Sequence, residues 1–280
     1  LMLPHLTLVV SPLLALMQDQ LAFLQRHGIA AASIDSAQSR EEASAVMAKA
    51  KAGELKILMI SVERLKNERF RNFLQQVPIS LLVVDEAHCI SEWGHNFRPD
   101  YLKLPDYQRQ FNIPQALLLT ATATPNVIAD MQTKFAIDEA DVITTGFYRA
   151  NLNLWVEPVT GAAKRARLVQ WMGERRGQPS IVYVTLQKTA EQIAEHLSQH
   201  GISANAYHAG MPHDQRENIQ RQFMEGRLNC IVATIAFGMG IDKPNVRFVA
   251  HMDLPKSLEA YYQETGRAGR DGLPADAWMA

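Results

Sequence analysis

One strand-and-helix pattern occurs twice in this chain, and the two copies keep a fixed distance. His27-Gly28-Ile29 matches His200-Gly201-Ile202, and Gly53-x-Leu55 matches Gly226-x-Leu228; 200 − 27 and 226 − 53 both equal 173. In the same frame Leu58 meets Ile231, Ser61 meets Thr234, and the run Leu6–Val10 meets Pro179–Tyr183. Convergence of ordinary strand-helix units on similar patterns is the plainer alternative. An offset that holds without a break from His27 to Ser61 favours duplication of one α/β unit.

The pattern itself is legible. Apolar runs at Leu6–Val10, Ile57–Ile60, Leu81–Val84, Ala116–Leu119, Ile181–Val184, Cys230–Ala233 and Val246–Ala250 predict strands. Between them Leu13, Met17, Leu21 and Leu24 recur at helical spacing, as do Ala190, Ile193, Ala194 and Leu197. Strands alternating with helices predict an α/β fold with parallel sheets covered on both faces. Two tandem lobes are expected, 1–147 and 148–280, divided near Gly146–Leu154, where the alternation lapses.

Composition narrows the function classes. The run Leu6–Met17 is broken by Thr7, Ser11 and Pro12, so no segment reads as a membrane span. No basic flank marks a secretory signal at the amino end. Cys89 and Cys230 are too few for a disulfide framework, which points to a cytoplasmic setting. The net charge of −1 means that any nucleic acid must be held by a local basic patch. The chain starts at Leu1 and stops at Ala280 in an apolar run, and it reads as a piece of a longer protein.

The richest stretch is Leu81-Leu82-Val83-Val84-Asp85-Glu86-Ala87-His88 and its continuation to Tyr101. Two adjacent acids at the end of a buried strand can serve a metal-nucleotide site. Asp85 would hold Mg²⁺ through water, Glu86 would polarise an attacking water, and His88 would couple the site to the rest of the chain. Acids at a helix start are the bland alternative. Thr120-Ala121-Thr122-Ala123-Thr124-Pro125 follows another predicted strand. Its hydroxyls can relay the state of the acids, and Thr124-Pro125 also fits an ordinary helix cap.

Near the other end, Gln263, Arg267 and Arg270 lie in Gln263-Glu264-Thr265-Gly266-Arg267-Ala268-Gly269-Arg270-Asp271-Gly272. Arginines three apart share a face if helical and would act as arginine fingers; a solvated basic turn is the alternative. Gly238-Met239-Gly240-Ile241-Asp242-Lys243 is not a dinucleotide fingerprint and reads as a flexible loop. His196 and His200, four apart, lack the glutamate of a metalloprotease helix and read as exposed polar residues, and His88 beside Cys89 lacks further zinc ligands. No G-x-x-x-x-G-K-S/T occurs, and Gly-Lys appears nowhere in the 280 residues.

With these motifs assembled, the chain closely resembles the RecQ family of superfamily 2 DNA helicases, along essentially its whole length. Val10-Ser11-Pro12-Leu13 with Met17-Gln18-Asp19-Gln20 is similar to motif Ia, Ser61–Leu65 to motif Ib, and Asp85–His88 to motif II. Thr120–Thr124 resembles motif III, Tyr207-His208-Ala209-Gly210-Met211 a turn of the second lobe, Val232–Asn245 motif V, and Gln263–Gly272 motif VI. The most specific match is Cys89–Tyr101, similar to the family's aromatic-rich loop. Departures occur at motif IV, here Tyr183-Val184-Thr185-Leu186 for Tyr-Cys-Asn-Ser, and at the lobe linker, Phe147-Tyr148-Arg149-Ala150-Asn151 for Phe-Asp-Arg-Pro-Asn.

The resemblance implies two RecA-like lobes, the first truncated at its amino end and so without its P-loop. It implies an ATP- and Mg²⁺-dependent helicase, moving 3′ to 5′ on single-stranded DNA and unwinding forked duplexes. Asp85, Glu86, His88, Gln263, Arg267 and Arg270 would be catalytic, with ATP between the lobes and the arginines opposite the acids. Thr120, Gly238 and Asp242 would join Asp85 in nucleotide binding. Ser11, Pro12, Trp93, Phe97, Arg98, His208 and Thr234 would meet DNA, the aromatic loop linking DNA to hydrolysis by stacking. Family partners are single-stranded-DNA-binding protein and repair factors, without a membrane. A non-catalytic DNA-binding piece and an RNA helicase are the rivals. The piece alone is expected to lack DNA-stimulated ATPase activity.

Overall fold

The computed structural model describes residues 2–12, 14–35, 38–92, 97–234, 237 and 243–280. The chain divides into two compact units, Leu1–Thr145 and Gly146–Ala280.

In the first unit the strands are β1 (Leu6–Val10), β2 (Ala31–Ile34), β3 (Ile57–Ile60), β4 (Ile79–Val84) and β5 (Gln115–Leu118). The helices are α1 (Leu14–Arg26), α2 (Arg40–Lys51), α3 (Glu68–Leu74), α4 (Leu104–Gln110) and α5 (Pro125–Phe135). The strands form one sheet in the order β2-β3-β1-β4-β5, every pair parallel. Parallel strands need crossover helices on both faces, so their residues are buried on both sides. Leu8, Val10, Leu58, Ile60, Leu82 and Val84 are accordingly at most 2% exposed. Each such side chain contributes about 1.5–3 kcal/mol by leaving water.

Local signals set the helix ends. Ser39 and Glu42 make a reciprocal capping box at α2: Glu42 N donates to Ser39 Oγ (3.2 Å) and Ser39 N donates to Glu42 Oε2 (2.8 Å). Asn67 caps α3 by accepting from Phe70 N (3.0 Å). Thr124 caps α5 with Pro125 in the first turn, as the cap reading predicts.

The second unit has β6 (Leu152–Val156), β7 (Ser180–Tyr183), β8 (Ala204–Tyr207), β9 (Cys230–Ala233), β10 (Phe248–His251) and β11 (Ala275–Met279). Its helices are α6 (Gly161–Gly173), α7 (Gln187–Gln199), α8 (His213–Met224) and α9 (Leu258–Thr265). The sheet order is β6-β11-β10-β7-β9-β8, again all parallel. Val182 packs into one apolar cluster and Ile181 with Tyr183 into another, on opposite faces.

The repeat is visible in the elements. α1 and α7 begin at 14 and 187, β2 and β8 at 31 and 204, α2 and α8 at 40 and 213; each difference is 173. Gly28 and Gly201 both take left-handed backbone (φ 71 and 75) where a helix stops, as do Gly53 and Gly226 (φ 74 and 76). His27 and His200 even repeat one contact, Nδ1 lying 2.8 Å from a carbonyl four residues earlier. The register ends after β3 and β9.

The predicted strands at Leu6–Val10, Ile57–Ile60 and Cys230–Ala233 match the observed ones, and the others shift by one or two residues. β2, β6, β8 and β11 were not anticipated. β2 and β8 are Ala-rich, and β6 and β11 lie beyond the part of the pattern that repeats. Among the described residues no helix is long and apolar enough to cross a membrane.

Candidate functional site

In the first unit, the carboxy ends of three neighbouring parallel strands converge. β1 runs into Ser11, β4 into Asp85 and β5 towards Thr120. This is the rim at which open parallel sheets bind ligands. Asp85 N donates to Val10 O (2.9 Å), which fixes the backbone. The carboxylate is fixed too: Ser11 Oγ donates to Oδ2 (3.0 Å) and Glu86 N donates to Oδ1 (3.0 Å). Each carboxylate oxygen keeps a second lone pair, so Asp85 can still accept from metal-bound water.

Glu86 has φ 50 and ψ 45, a left-handed conformation in a residue with a side chain. Such backbone is strained and is tolerated where the surroundings enforce it. Here Ala87 N donates to Leu119 O (2.9 Å), carrying the turn across to the end of β5. His88 is 1% exposed; its Nδ1 lies 3.0 Å from Thr120 Oγ1 and 3.3 Å from Glu86 Oε2. Thr120 Oγ1 also accepts from Thr122 N (3.2 Å). Asp85, Glu86, His88, Thr120 and Ser11 therefore form one connected group. Asp and Glu oxygens with hydroxyl support are a donor set suited to Mg²⁺.

Ser11, expected to meet DNA, is fully buried and commits its hydroxyl proton to Asp85. Pro12 is half-buried beside it. Phe97 and Arg98 are half-buried, with Arg98 Nη1 4.0 Å from Glu63 Oε1 and Arg98 N donating to Cys89 O (2.9 Å). Ser91 Oγ donates to Asp130 Oδ2 (2.6 Å), tying the start of this loop to α5. Burial pushes the Cys89 thiol up to about 12, so Cys89 is a core residue and not a metal-binding thiolate. Trp93 lies outside the described residues, as do Gly238 and Asp242. Among the described residues no group of three or more His, Cys, Asp or Glu side chains that could hold a metal ion occurs.

In the second unit α9 ends at Thr265, so Arg267 and Arg270 do not share a helical face as expected. They sit in the turn that follows. Gly269 explains the break: its φ is +61, and a Cβ there would come within 2.6 Å of Asn151 Nδ2 and 2.8 Å of Leu273 O. The linker residues grip this turn. Arg149 Nη2 donates to Ala268 O (3.2 Å) and Gly269 O (2.7 Å), while Asn151 Nδ2 donates to Gly269 O (2.7 Å) and Leu273 O (2.9 Å). The other side is held by buried His251, whose Nε2 lies 2.7 Å from Glu264 Oε2 on α9. Tyr183 stacks on His251, ring centroids 5.4 Å apart, and donates its hydroxyl to Phe237 O (3.1 Å). Burial raises the Tyr183 phenol, and Arg267 is the charge that opposes this most.

Sequence reasoning passed over Arg149, Asn151, His251 and Glu264 as positioning groups. Arg149 and Asn151 were legible as two of the three linker positions, with Phe147, that keep the family's residue types; His251 carried no local signal. Gln263 is half-buried on α9. His208 is 5% exposed, its Nε2 3.2 Å from Glu191 Oε1, and Thr234 is 8% exposed. The geometry thus offers an acid pair braced by hydroxyls and a rigidly gripped pair of arginines.

Comparison with known proteins follows the same division. The DEAD/DEAH box helicase family matches residues 3–131, and the helicase conserved C-terminal domain matches residues 163–272. The ATP-dependent DNA helicase RecQ of Pasteurella multocida is 42% identical over 272 residues, 97% of this chain and 43% of the relative. That of Bacillus subtilis is 42% identical over 271 residues, 96% of this chain and 46% of the relative. The chain thus spans less than half the length of these curated relatives. Among solved structures, the DUF1998 helicase MrfA bound to DNA superposes with a TM-score of 0.75 at 18% identity, over 99% of this chain and 40% of that one. Yeast Dbp5 bound to RNA and ADP BeF3 gives 0.72 at 21% identity, over 98% of this chain and 71% of that one. These likenesses show the fold, tandem RecA-like α/β lobes.

Proposed function

The chain belongs to the RecQ family of helicases, and on that premise we propose that it is the motor core of an ATP-dependent DNA helicase. The motor moves 3′ to 5′ on single-stranded DNA and opens forked duplexes. The observation that carries this reading is the connected group Ser11, Asp85, Glu86, His88 and Thr120 at the carboxy ends of β1, β4 and β5. A pure binding module has no physical use for a strained, hydroxyl-braced acid pair.

In this reading Asp85, held by Ser11 and the Glu86 amide, binds Mg²⁺ through water, and the ion would neutralise charge on the phosphates. Glu86 orients the attacking water and takes its proton. His88 and Thr120 pass the state of Glu86 to the end of β5. Arg267 and Arg270 supply positive charge to the transferring phosphoryl group, with Gln263 alongside. Phe97, Arg98 and Trp93 meet the single strand by stacking and charge, which gives little sequence preference. Pro12, His208 and Thr234 border the same strand, and Gly238 and Asp242 border the nucleotide. Single-stranded-DNA-binding protein and repair factors are the partners this function calls for.

The test is DNA-stimulated ATP hydrolysis and strand separation by the full-length gene product. Glu86→Gln is expected to abolish turnover while ATP binding survives, and forks with a 3′ tail are expected to open in preference to 5′-tailed ones. DNA binding without any hydrolysis by the unsubstituted protein would sink the motor reading in favour of a binding module. The 280-residue chain itself carries no Gly-Lys dipeptide, and we expect no significant hydrolysis from it alone.

A further inference from the structure

In the second unit β8 is the last strand of its sheet, and among the described residues it has β9 on one side only. The ladder sets which way its backbone faces. Cys230 N donates to Ser203 O (3.0 Å) and Thr234 N donates to Tyr207 O (3.2 Å), so Ser203, Asn205 and Tyr207 address β9. Alternation along a parallel ladder turns Ala204 and Ala206 the other way. A cavity of about 460 Å³ runs along that free side. Its walls are α7 and α8, which flank the edge from opposite faces of the sheet. Ile193 and Leu197 of α7 pack into the cluster of Val182, whereas Ile219 and Phe223 of α8 pack into that of Ile181 and Tyr183.

An open strand edge is a template for another chain unless something blocks it, and the first unit shows what blocking looks like. At the offset of 173, Ala31 and Ser33 of β2 correspond to Ala204 and Ala206 of β8. Both of those carbonyls in β2 accept from a glutamine: Gln25 Nε2 donates to Ala31 O (3.1 Å) and Gln38 Nε2 donates to Ser33 O (3.0 Å). The same offset carries Gln25 to Ser198 and Gln38 to Met211. Ser198 Oγ still donates to Ala204 O (3.2 Å). The Met211 side chain has no N–H to give, and among the described residues nothing donates to Ala206 O. The second edge has thus lost one of its two side-chain covers, and alanine side chains are too small to screen the backbone.

Charge selects the occupant. Glu191 and Glu195, one helical turn apart on α7, line the groove, and no lysine or arginine does. Each carboxylate is engaged through one oxygen: Glu191 Oε1 lies 3.2 Å from His208 Nε2, and Glu195 Oε1 accepts from Gln199 Nε2 (3.4 Å). The second oxygen of each can take an ammonium or guanidinium group. On the other wall Gln215, Asn218 and Gln222 present carboxamides, which can bond to a passing backbone. Two carboxylates repel a phosphodiester strand and suit a positively charged peptide.

We propose that this groove docks an extended, basic segment of a partner protein, which adds as a further strand beside Ala204–Tyr207 and sets lysine or arginine against Glu191 and Glu195. Four residues of strand give the segment a track of about 13 Å. None of the groups it addresses is assigned to nucleotide chemistry, so the surface stands independently of the motor reading.

The experiment titrates the full-length gene product into fluorescent heptapeptides and reads their anisotropy. The probe alternates lysine and valine, a second peptide carries glutamate for lysine, and a third is the lysine peptide N-methylated at every other residue. The lysine peptide is expected to bind about tenfold more tightly than either of the others, and to slow amide hydrogen exchange across 204–207. Ala206→Pro removes one outward N–H where an edge strand accepts proline, and is expected to weaken binding about tenfold. Glu191→Gln/Glu195→Gln leaves the backbone untouched and is measured beside it, with an expected loss of about fivefold that shrinks at high salt. Glu225→Gln, an exposed acid of the same unit paired with Arg227, is expected to change nothing. Equal binding of the N-methylated peptide would overturn strand addition, and equal binding of the glutamate peptide would overturn the charge match. Unchanged affinity in both groove variants, or an equal loss in Glu225→Gln, would overturn the site. Failure of the lysine peptide to bind would overturn the partner, and a dimer abolished by Ala206→Pro would then assign the edge to a second copy of the chain.

Discussion

Glu86 carries a carboxylate into a backbone conformation that glycine adopts without strain (φ 50). Stability and chemistry are therefore opposed at this one position. Glu86→Gly is expected to raise the unfolding free energy by about 0.5–1 kcal/mol in thermal or urea denaturation, and to abolish ATP hydrolysis. A fall in stability would mean that the contacts of Glu86 outweigh its strain. Ser11 is the second pivot. Removing its hydroxyl in Ser11→Ala leaves Asp85 Oδ2 without a protein donor, and the Mg²⁺ concentration needed for half-maximal hydrolysis is expected to rise about tenfold. A variant that loses DNA affinity at unchanged Mg²⁺ requirement would restore Ser11 to the nucleic-acid surface. The acids were legible in the sequence because a buried strand ended on them. The left-handed turn at Glu86 was not, since backbone strain leaves no mark on residue type.

At the scale of elements, the turn after α9 shows how a helix end can be turned into a clamp. Two carbonyls, those of Ala268 and Gly269, accept from Arg149, and Asn151 closes the other side. Arg149→Ala is expected to leave the fold intact but to let Arg267 and Arg270 wander. Misplacement of a charge by about 1 Å costs on the order of a hundredfold in turnover, so kcat is expected to fall by that order with the KM for ATP little changed. An equal change in KM would indicate a ground-state contact instead. The strands β3 and β9 were legible because their residues are apolar throughout, and β1 because Thr7 is its one polar residue. The helical face predicted for Arg267 and Arg270 was not realised, because α9 ends at Thr265 and Gly269, between the two arginines, takes left-handed backbone. Edge strands β2 and β8 escaped notice because alanine gives little strand signal.

For the molecule as a whole, acid sensitivity has an identifiable origin in the second unit. Asp276 on β11 is pushed up by burial, but Arg175, Asn153 and Trp155 donate to its carboxylate and hold it below the usual carboxylate range. A group whose pKa is lower folded than unfolded adds stability above its unfolded pKa and loses it as pH falls through the folded value. The melting temperature is therefore expected to drop below about pH 4, and Asp276→Asn to be less stable at neutral pH with a flatter acid limb. An acid limb as steep as in the unsubstituted protein would assign the sensitivity elsewhere. The sequence disclosed the tandem arrangement through its constant offset, and the structure adds where that constancy stops, after β3 and β9. Asp85, Glu86, His88 and Thr120 lie beyond that stop in the first unit, and Gln263, Arg267 and Arg270 lie beyond it in the second. The portions that keep the offset supply the sheet and its first helices, while the portions beyond it carry the candidate acids Asp85 and Glu86 in one unit and Arg267 and Arg270 in the other. What repeats is a frame, and the side chains that set the two units apart stand where the repetition stops.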